Sequence, residues 1–177
     1  MPKENEILIK VHAVSINDWD WGLLRGKPFV NRLMAGAIKP RTDNILGSDI
    51  AGTVVATGQK ASHFKQGDEV FGDLCADGFG GFAEYVCAPE KVLTVKPQTM
   101  SFEQAAAIPQ AGVLALQALQ DKRKKQTKMK VLINGAGGGS GSFAIQIAKA
   151  FGDNVTAVDC ASKFELMRDL GADYLID

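Results

Sequence analysis

The residues best suited to chemistry sit in one glycine-rich loop. The apolar run Val131-Leu132-Ile133 leads into Asn134-Gly135-Ala136-Gly137-Gly138-Gly139-Ser140-Gly141, and an apolar helical pattern follows. A second apolar run, Val155-Thr156-Ala157-Val158, then ends in an acid, Asp159, with Lys163 four positions on. Aligned on its later glycines, the loop reads Ala136-x-Gly138-x-x-Gly141, with alanine in place of the first glycine. That order of strand, glycine loop, helix, strand and acid is the opening of a dinucleotide-binding fold. Glycine permits backbone angles closed to other residues and lets the main chain approach a pyrophosphate. The helix N-terminus aims unpaired N–H groups at the phosphate charge. A carboxylate at the end of the next strand can accept hydrogen bonds from a ribose diol. Gly135 to Gly141, Asp159 and Lys163 are therefore the candidate cofactor contacts. Against this stand a glycine-rich turn without a ligand, and an Asp159 that is only a polar strand end. No lysine follows the loop as a phosphate-clamping P-loop requires, so a nucleotide triphosphatase is not expected.

The other reactive residue types are sparse. His12 lies in a strand-like run and His63 in a polar turn, so packing or surface roles are expected of both. Cys75, Cys87 and Cys160 are widely spaced and odd in number, which gives neither a disulfide framework nor a zinc knuckle. They fit a reducing compartment, the cytoplasm by default. Cys75 and Cys87 read as small apolar fillers. No Ser-His-Asp or Cys-His arrangement is legible.

The elements that must position these residues fall into two textures. Ile7 to Val14, Thr53-Val54-Val55, Glu69-Val70-Phe71, Gly81 to Val86 and Val92 to Val95 read as strands, punctuated by glycines as a tightly turning barrel or sandwich requires. Near residue 100 the texture changes. Ser101 and Gln104 form a capping-box pattern opening a helix through Ala105-Ala106-Ala107, which Pro109 interrupts. A second helical stretch over Ala111 to Leu119 ends in the basic run Asp121-Lys122-Arg123-Lys124-Lys125, read as a solvated helix end and loop rather than a nuclear signal or anion patch. Residues 131–177 then give β-loop-α-β-α-β. Phe143, Ala144, Ile147, Ala148 and Phe151 form the sheet-facing stripe of the first helix, Gly152 and Gly171 stop the two helices, and Tyr174-Leu175-Ile176 is the third strand. Three strands are half of a doubly wound sheet. The chain is thus expected to be an incomplete piece of a larger enzyme, weak or inactive alone and prone to self-association at an open sheet edge.

Twenty basic and twenty acidic residues cancel, which removes any global field favouring nucleic acid or an anionic membrane. No apolar run is long enough to span a bilayer, and the polar start Met1-Pro2-Lys3-Glu4-Asn5-Glu6 does not read as a signal peptide.

Several further stretches carry a family resemblance: Val14-Ser15-Ile16-Asn17-Asp18-Trp19-Asp20, Leu46-Gly47-Ser48-Asp49-Ile50-Ala51-Gly52, Gly67-Asp68-Glu69-Val70-Phe71-Gly72, Gly80-Gly81-Phe82-Ala83-Glu84-Tyr85, the glycine loop, and Leu170-Gly171-Ala172-Asp173. Together they resemble the medium-chain dehydrogenase/reductase superfamily, and within it the zinc-independent quinone oxidoreductase-like branch. The resemblance implies an α/β protein: a β-rich GroES-like barrel domain over 1–100, then over 101–177 linker helices and the N-terminal part of a Rossmann doubly wound parallel sheet.

It also implies an activity, the transfer of hydride from NAD(P)H to a quinone, an enone or an enal by an enzyme that is a homodimer when complete. In the alcohol dehydrogenases of this superfamily the positions matching Asn17 and Ser48 are a cysteine and a histidine that ligate zinc. An amide and a hydroxyl do not suit zinc, so no metal is expected. The resemblance makes Asn17 the candidate donor to a developing oxyanion and Asp20 the residue that shapes its pocket. Trp19, Trp21 and Ser48 line the substrate side. Asn17 could instead only cap a turn, and the tryptophans could fill core. Some quinone reductases carry a tyrosine near this loop where Gly22 stands here, which removes a tyrosine proton donor. Asp159 followed by Cys160-Ala161-Ser162-Lys163 combines an NAD-type acid with NADP-type residues and implies a slight lean to NADH. Two other classes remain open: a non-catalytic nucleotide-binding protein of the same fold, and a zinc alcohol dehydrogenase.

Overall fold

Period-two burial builds the first strand. In β1 (Glu6–Val14) Ile7 and Ile9 are fully buried while Lys10 and His12 are exposed. The computed structural model describes residues 1–34, 45–120 and 128–177; the basic run Asp121–Lys125 lies outside the described residues. The chain divides into two contact units, Met1–Pro109 and Gln110–Asp177.

In the first unit, β1 is followed by helices α1 (Asp18–Arg25) and α2 (Phe29–Met34). Strands β2 (Asp49–Thr57), β3 (Glu69–Asp73), β4 (Tyr85–Pro89) and β5 (Leu93–Val95) come next. All five strands join one antiparallel sheet in the order β4-β1-β2-β3-β5. The β1–β2 register shifts between Leu8 and Ile9 and between Val11 and Ala13, leaving Val55 and His12 without an opposite residue. Ile7, Ile9, Ile50, Val54, Val70, Leu74, Val86 and Ala88 form its core. Asp49 to Gly52 are all buried, so β2 does not alternate at its start. A Cβ at Gly52 would strike the Lys10 carbonyl on the facing strand, so this crossing requires glycine.

The capping box is present: Ser101 Oγ accepts from the Gln104 N–H at 3.2 Å, and Gln104 Oε1 accepts from the Ser101 N–H at 3.0 Å. It opens helix α3 (Phe102–Ala106), whose Ala105 and Ala106 pack on Ala51 of the first sheet. One difference from the sequence reading concerns Gly81 to Glu84, which form a loop rather than the start of β4. The first two residues of that loop bond elsewhere, with the Gly81 N–H on the Gly47 carbonyl at 2.8 Å and the Phe82 N–H on the Leu46 carbonyl at 2.9 Å, while the Glu84 carbonyl accepts from the Val11 N–H of β1 at 2.9 Å.

The second unit contains the β-loop-α-β-α-β order read from sequence. Helix α4 begins at the unit boundary (Pro109–Gln120), with proline at its first position, where no N–H is needed. Strand β6 (Lys130–Asn134), helix α5 (Gly139–Ala150), strand β7 (Asn154–Val158), helix α6 (Phe164–Asp169) and strand β8 (Tyr174–Ile176) follow. The strands are parallel in the order β6-β7-β8. Gly152 and Gly171, at φ +81° and +102°, end the two helices as expected. The sheet-facing stripe of α5 differs in detail. Ile145 and Ala148 are fully buried, whereas Phe143, Ile147 and Phe151 are only half-buried. Ile145 and Ala148 share one core with Ile133, Ala136, Val155, Ala157 and Met167.

Candidate functional site

The first candidate site is built at the start of α1. Asn17 has extended backbone angles and stands at the helix N-cap, with Asp20 three positions on. The Asp20 carboxylate, 2% exposed, accepts from the Asn17 N–H at 2.9 Å through Oδ2 and from the Gly47 N–H at 2.8 Å through Oδ1. It therefore ties the α1 start to the segment before β2. Gly47 sits at φ +95°, and a Cβ there would lie 2.6 Å from the Phe82 nitrogen, so only glycine fits between the two loops. Next to it, Ser48 is wholly buried and reaches the site through Asn17, whose Nδ2 donates to Ser48 Oγ at 3.2 Å and to Ser15 Oγ at 3.3 Å.

Trp19 and Trp21 do not fill core, being 40% and 55% exposed. The Arg25 guanidinium lies over the Trp21 ring at 4.7 Å. Both tryptophans, with Asp18, Gly22, Lys27, Pro28 and Asn31, line a groove of about 270 Å³. A Cβ at Gly22 would collide with Asn31 Nδ2, so a larger residue there would displace that amide. Asn31 is held in turn by donating to the Lys27 carbonyl at 3.2 Å.

The second candidate site is the loop between β6 and α5. Gly135 leaves the strand at φ +73°, Ala136 is fully buried, and Gly138 caps the helix. A Cβ at Gly141 would collide with the Gly135 carbonyl and lie 2.6 Å from Ala136 Cα. That makes Gly141 the glycine of close loop–helix approach. The first-turn N–H groups of Gly139, Ser140 and Gly141 have no intrahelical acceptor by construction, which suits an anion. Asp159 closes the far side of this cradle. Its carboxylate accepts from the Cys160 N–H at 2.8 Å, the Gly137 N–H at 3.0 Å and Lys163 Nζ at 3.1 Å. The Cys160 N–H, then the Lys163 ammonium and the Gly137 N–H, hold its pKa down to about 2. It stays ionised throughout the neutral range. The Lys163 stem lies over Gly137, where a Cβ would come 2.5 Å from Lys163 Cδ.

Other reactive residues are accounted for. Burial pushes the Cys75 thiol up, and the Asp73, Asp20 and Asp49 carboxylates add to it, so Cys75 is a neutral thiol. Cys87 is exposed on β4 and does not act as core filler. His12 stacks on Phe102 at 4.3 Å and shares a 3.1 Å contact with Thr53 Oγ1, while His63 faces Glu90 at 3.5 Å.

Residues 3–98, more than half of the chain, match the model of the alcohol dehydrogenase GroES-like domain. The chain is 37% identical over 183 aligned residues to the chloroplast envelope quinone oxidoreductase homolog of Arabidopsis thaliana, covering 99% of this chain and 53% of that protein. The chain belongs to the medium-chain dehydrogenase/reductase superfamily, on its quinone oxidoreductase-like branch. The chain is also 38% identical to the 2-methylene-furan-3-one reductase of Solanum lycopersicum, over 99% of this chain and 45% of that protein. The crystal structure of Escherichia coli quinone oxidoreductase complexed with NADPH matches with a TM-score of 0.84 and 29% identity, over 99% of this chain and 51% of that one. The chain spans about half the length of the curated relatives it matches.

In the terms of this superfamily, the GroES-like unit brings Asn17, Asp20 and Ser48 together, with Trp19 and Trp21 on the neighbouring surface. The start of the Rossmann sheet gathers the glycine loop, Asp159 and Lys163. Sequence reasoning missed Ser15, Asp49 and Asn31 as neighbours of these residues. Asp49 did leave a signal, because a charged residue beside Ile50-Ala51 at the buried start of a strand calls for a partner. Among the described residues, no group of three or more His, Cys, Asp or Glu side chains could hold a metal, and no helix is long and apolar enough to cross a membrane.

Proposed function

We propose that the complete protein is a zinc-independent, NAD(P)H-dependent oxidoreductase that reduces a quinone or an α,β-unsaturated carbonyl. The observation that carries this reading is the cofactor cradle: Gly135 to Gly141 at the N-terminus of α5, closed by Asp159. The residues fit the group, because the loop backbone is bare where a pyrophosphate would approach and a carboxylate stands where a ribose would lie. A bound reduced nicotinamide supplies the hydride. Support for the acceptor class comes from the relatives, a quinone oxidoreductase homolog and a reductase of an exocyclic enone.

The chain's own part is to stabilise the oxygen that gains charge as hydride arrives. Asn17 holds its two N–H groups on Ser15 and Ser48 through neutral contacts of 3.3 and 3.2 Å, long for hydrogen bonds. A charged oxygen forms a shorter and stronger bond, so it can draw the N–H now on Ser48. Asp20 fixes the backbone from which Asn17 projects, and Trp19 and Trp21 offer flat apolar faces to a ring. Asn17 and Ser48 occupy the zinc-ligand positions with an amide and a hydroxyl, which supports chemistry without metal.

The test is a panel of quinones and enones with NADH and NADPH, run on this chain and on one extended to its relatives' length. Zinc content is measured on the same samples. Oxidation of NAD(P)H by the extended chain without stoichiometric zinc is expected, with little or none by the 177 residues alone. Tight cofactor binding without turnover of any acceptor would sink the enzymatic reading. One equivalent of zinc per active chain would sink the metal-free one.

For the cofactor we propose use of both forms with a modest preference for NADH. Asp159 repels a 2′-phosphate, while the Lys163 ammonium on it offsets that charge. The Escherichia coli neighbour holds NADPH, which supports the second half of this reading. Asp159→Ser should raise the NADPH/NADH efficiency ratio about tenfold, equivalent to about 1.4 kcal/mol, and Lys163→Met should lower it. An unchanged ratio in Asp159→Ser would mean the acid does not discriminate. The protein is further proposed to act as a homodimer when complete, in the cytoplasm or another reducing space that keeps its three cysteines as thiols.

A further inference from the structure

Two side chains beside Asn17 are not used by this reading. Ser15 follows β1 and is half-buried, and Asp49 opens β2 and is wholly buried. The backbone brings them together, since the Ser15 N–H donates to the Asp49 carbonyl at 3.1 Å. Ser15 Oγ then donates to Asp49 Oδ2 at 3.4 Å while accepting from Asn17 Nδ2 at 3.3 Å.

A serine hydroxyl carries one proton, and a carboxylate can only accept. With that proton turned to the carboxylate, which can only accept, Ser15 Oγ presents a lone pair to Asn17. A lone pair selects the NH₂ edge of the amide. If the amide turned over, its Oδ1 would face an oxygen with no proton to share, and a half-buried polar contact would be lost. Ser48 alone does not make this choice, because a hydroxyl can either donate or accept toward the amide.

We infer that Asp49, acting through Ser15, is the positioning residue that fixes which edge of the Asn17 amide faces inward, and so keeps an N–H available for the reacting oxygen. The last clause rests on the proposed role of Asn17; the orientation itself does not. The N–H on Ser15 is the anchor, and the N–H on Ser48 is the one that a charged oxygen takes.

The closing experiment has two readouts. In the chain labelled with ¹⁵N-asparagine, the Asn17 side-chain signals are identified by their loss in Asn17→Asp. Ser15→Ala is expected to speed solvent exchange of the Asn17 NH₂ by about tenfold, and Ser15→Thr, which keeps the hydroxyl, to restore slow exchange. Asp49→Asn can donate to Ser15 and free its proton, so the Asn17 amide should turn over and its signals shift. If Asp49→Asn does not fold, the serine pair carries the test. Asn17 signals in Ser15→Ala identical to wild type would overturn the inference.

In an active chain of full length, Ser15→Ala should lower kcat by roughly tenfold to a hundredfold with KM little changed. A freed amide with full turnover would leave the positioning role standing and remove Asn17 from the chemistry.

Discussion

Gly141→Ala should cost the second unit about 3 kcal/mol, the upper end of ordinary overpacking. The new methyl group would meet main chain on two sides, the Gly135 carbonyl and Ala136, with Ala136 Cα at 2.6 Å and its carbonyl carbon at 2.8 Å. Backbone cannot swing aside as a side chain can. To accept the methyl, the loop must lift from α5, and the first-turn N–H groups lose their common focus. Gly138→Ala is the matched control. Gly138 has φ −92°, open to any residue, and its nearest neighbour would be the Gly135 carbonyl at 3.3 Å. That variant should lose less than about 1 kcal/mol. Urea unfolding of both variants, followed by far-UV circular dichroism, separates the two positions. Equal stability would mean that the loop does not pack as described.

The second large effect is on turnover. In an active chain of full length, Asn17→Ala should reduce kcat by about a hundredfold to a thousandfold, the usual consequence of removing one oxyanion donor. KM should hardly move, because the contact strengthens only as charge develops. The competing role, a helix cap and nothing more, makes a different forecast. It would cost about 1 kcal/mol of stability and leave kcat in place. Steady-state kinetics and thermal unfolding on the same preparation distinguish them. A variant that is destabilised but fully active would end the catalytic assignment.

Local signals were legible in the sequence and distant ones were not. The glycine loop, the Ser101–Gln104 capping box and the helix stops at Gly152 and Gly171 each lie within a few residues of their partners, and the structure contains them all. The Asp20–Gly47 and Asn17–Ser48 contacts span 27 and 31 positions. No periodicity encodes such a contact. Family resemblance pointed to Asn17, Asp20 and Ser48 as single positions, but not to the way Asp20 joins two loops or to Ser15 and Asp49 behind Asn17. Gly81 to Glu84 read as strand because their composition suits one, yet the N–H groups of Gly81 and Phe82 were taken by Gly47 and Leu46. The stripe read on α5 placed Ala144 and Ala148 correctly against the core but passed over Ile145, which is fully buried, in favour of Phe143, Ile147 and Phe151, which are not.

Gly22 and Asn31 bind each other's futures. The amide of Asn31 fills the space that any side chain at position 22 would need, and it is tethered there by the Lys27 carbonyl. A larger residue at 22 would push that amide out of its place and off the Lys27 carbonyl. The two positions should therefore be epistatic, the exchange at 22 costing more beside asparagine than beside a smaller residue at 31. The groove beside Trp19 and Trp21, which both positions line, would change shape with either exchange.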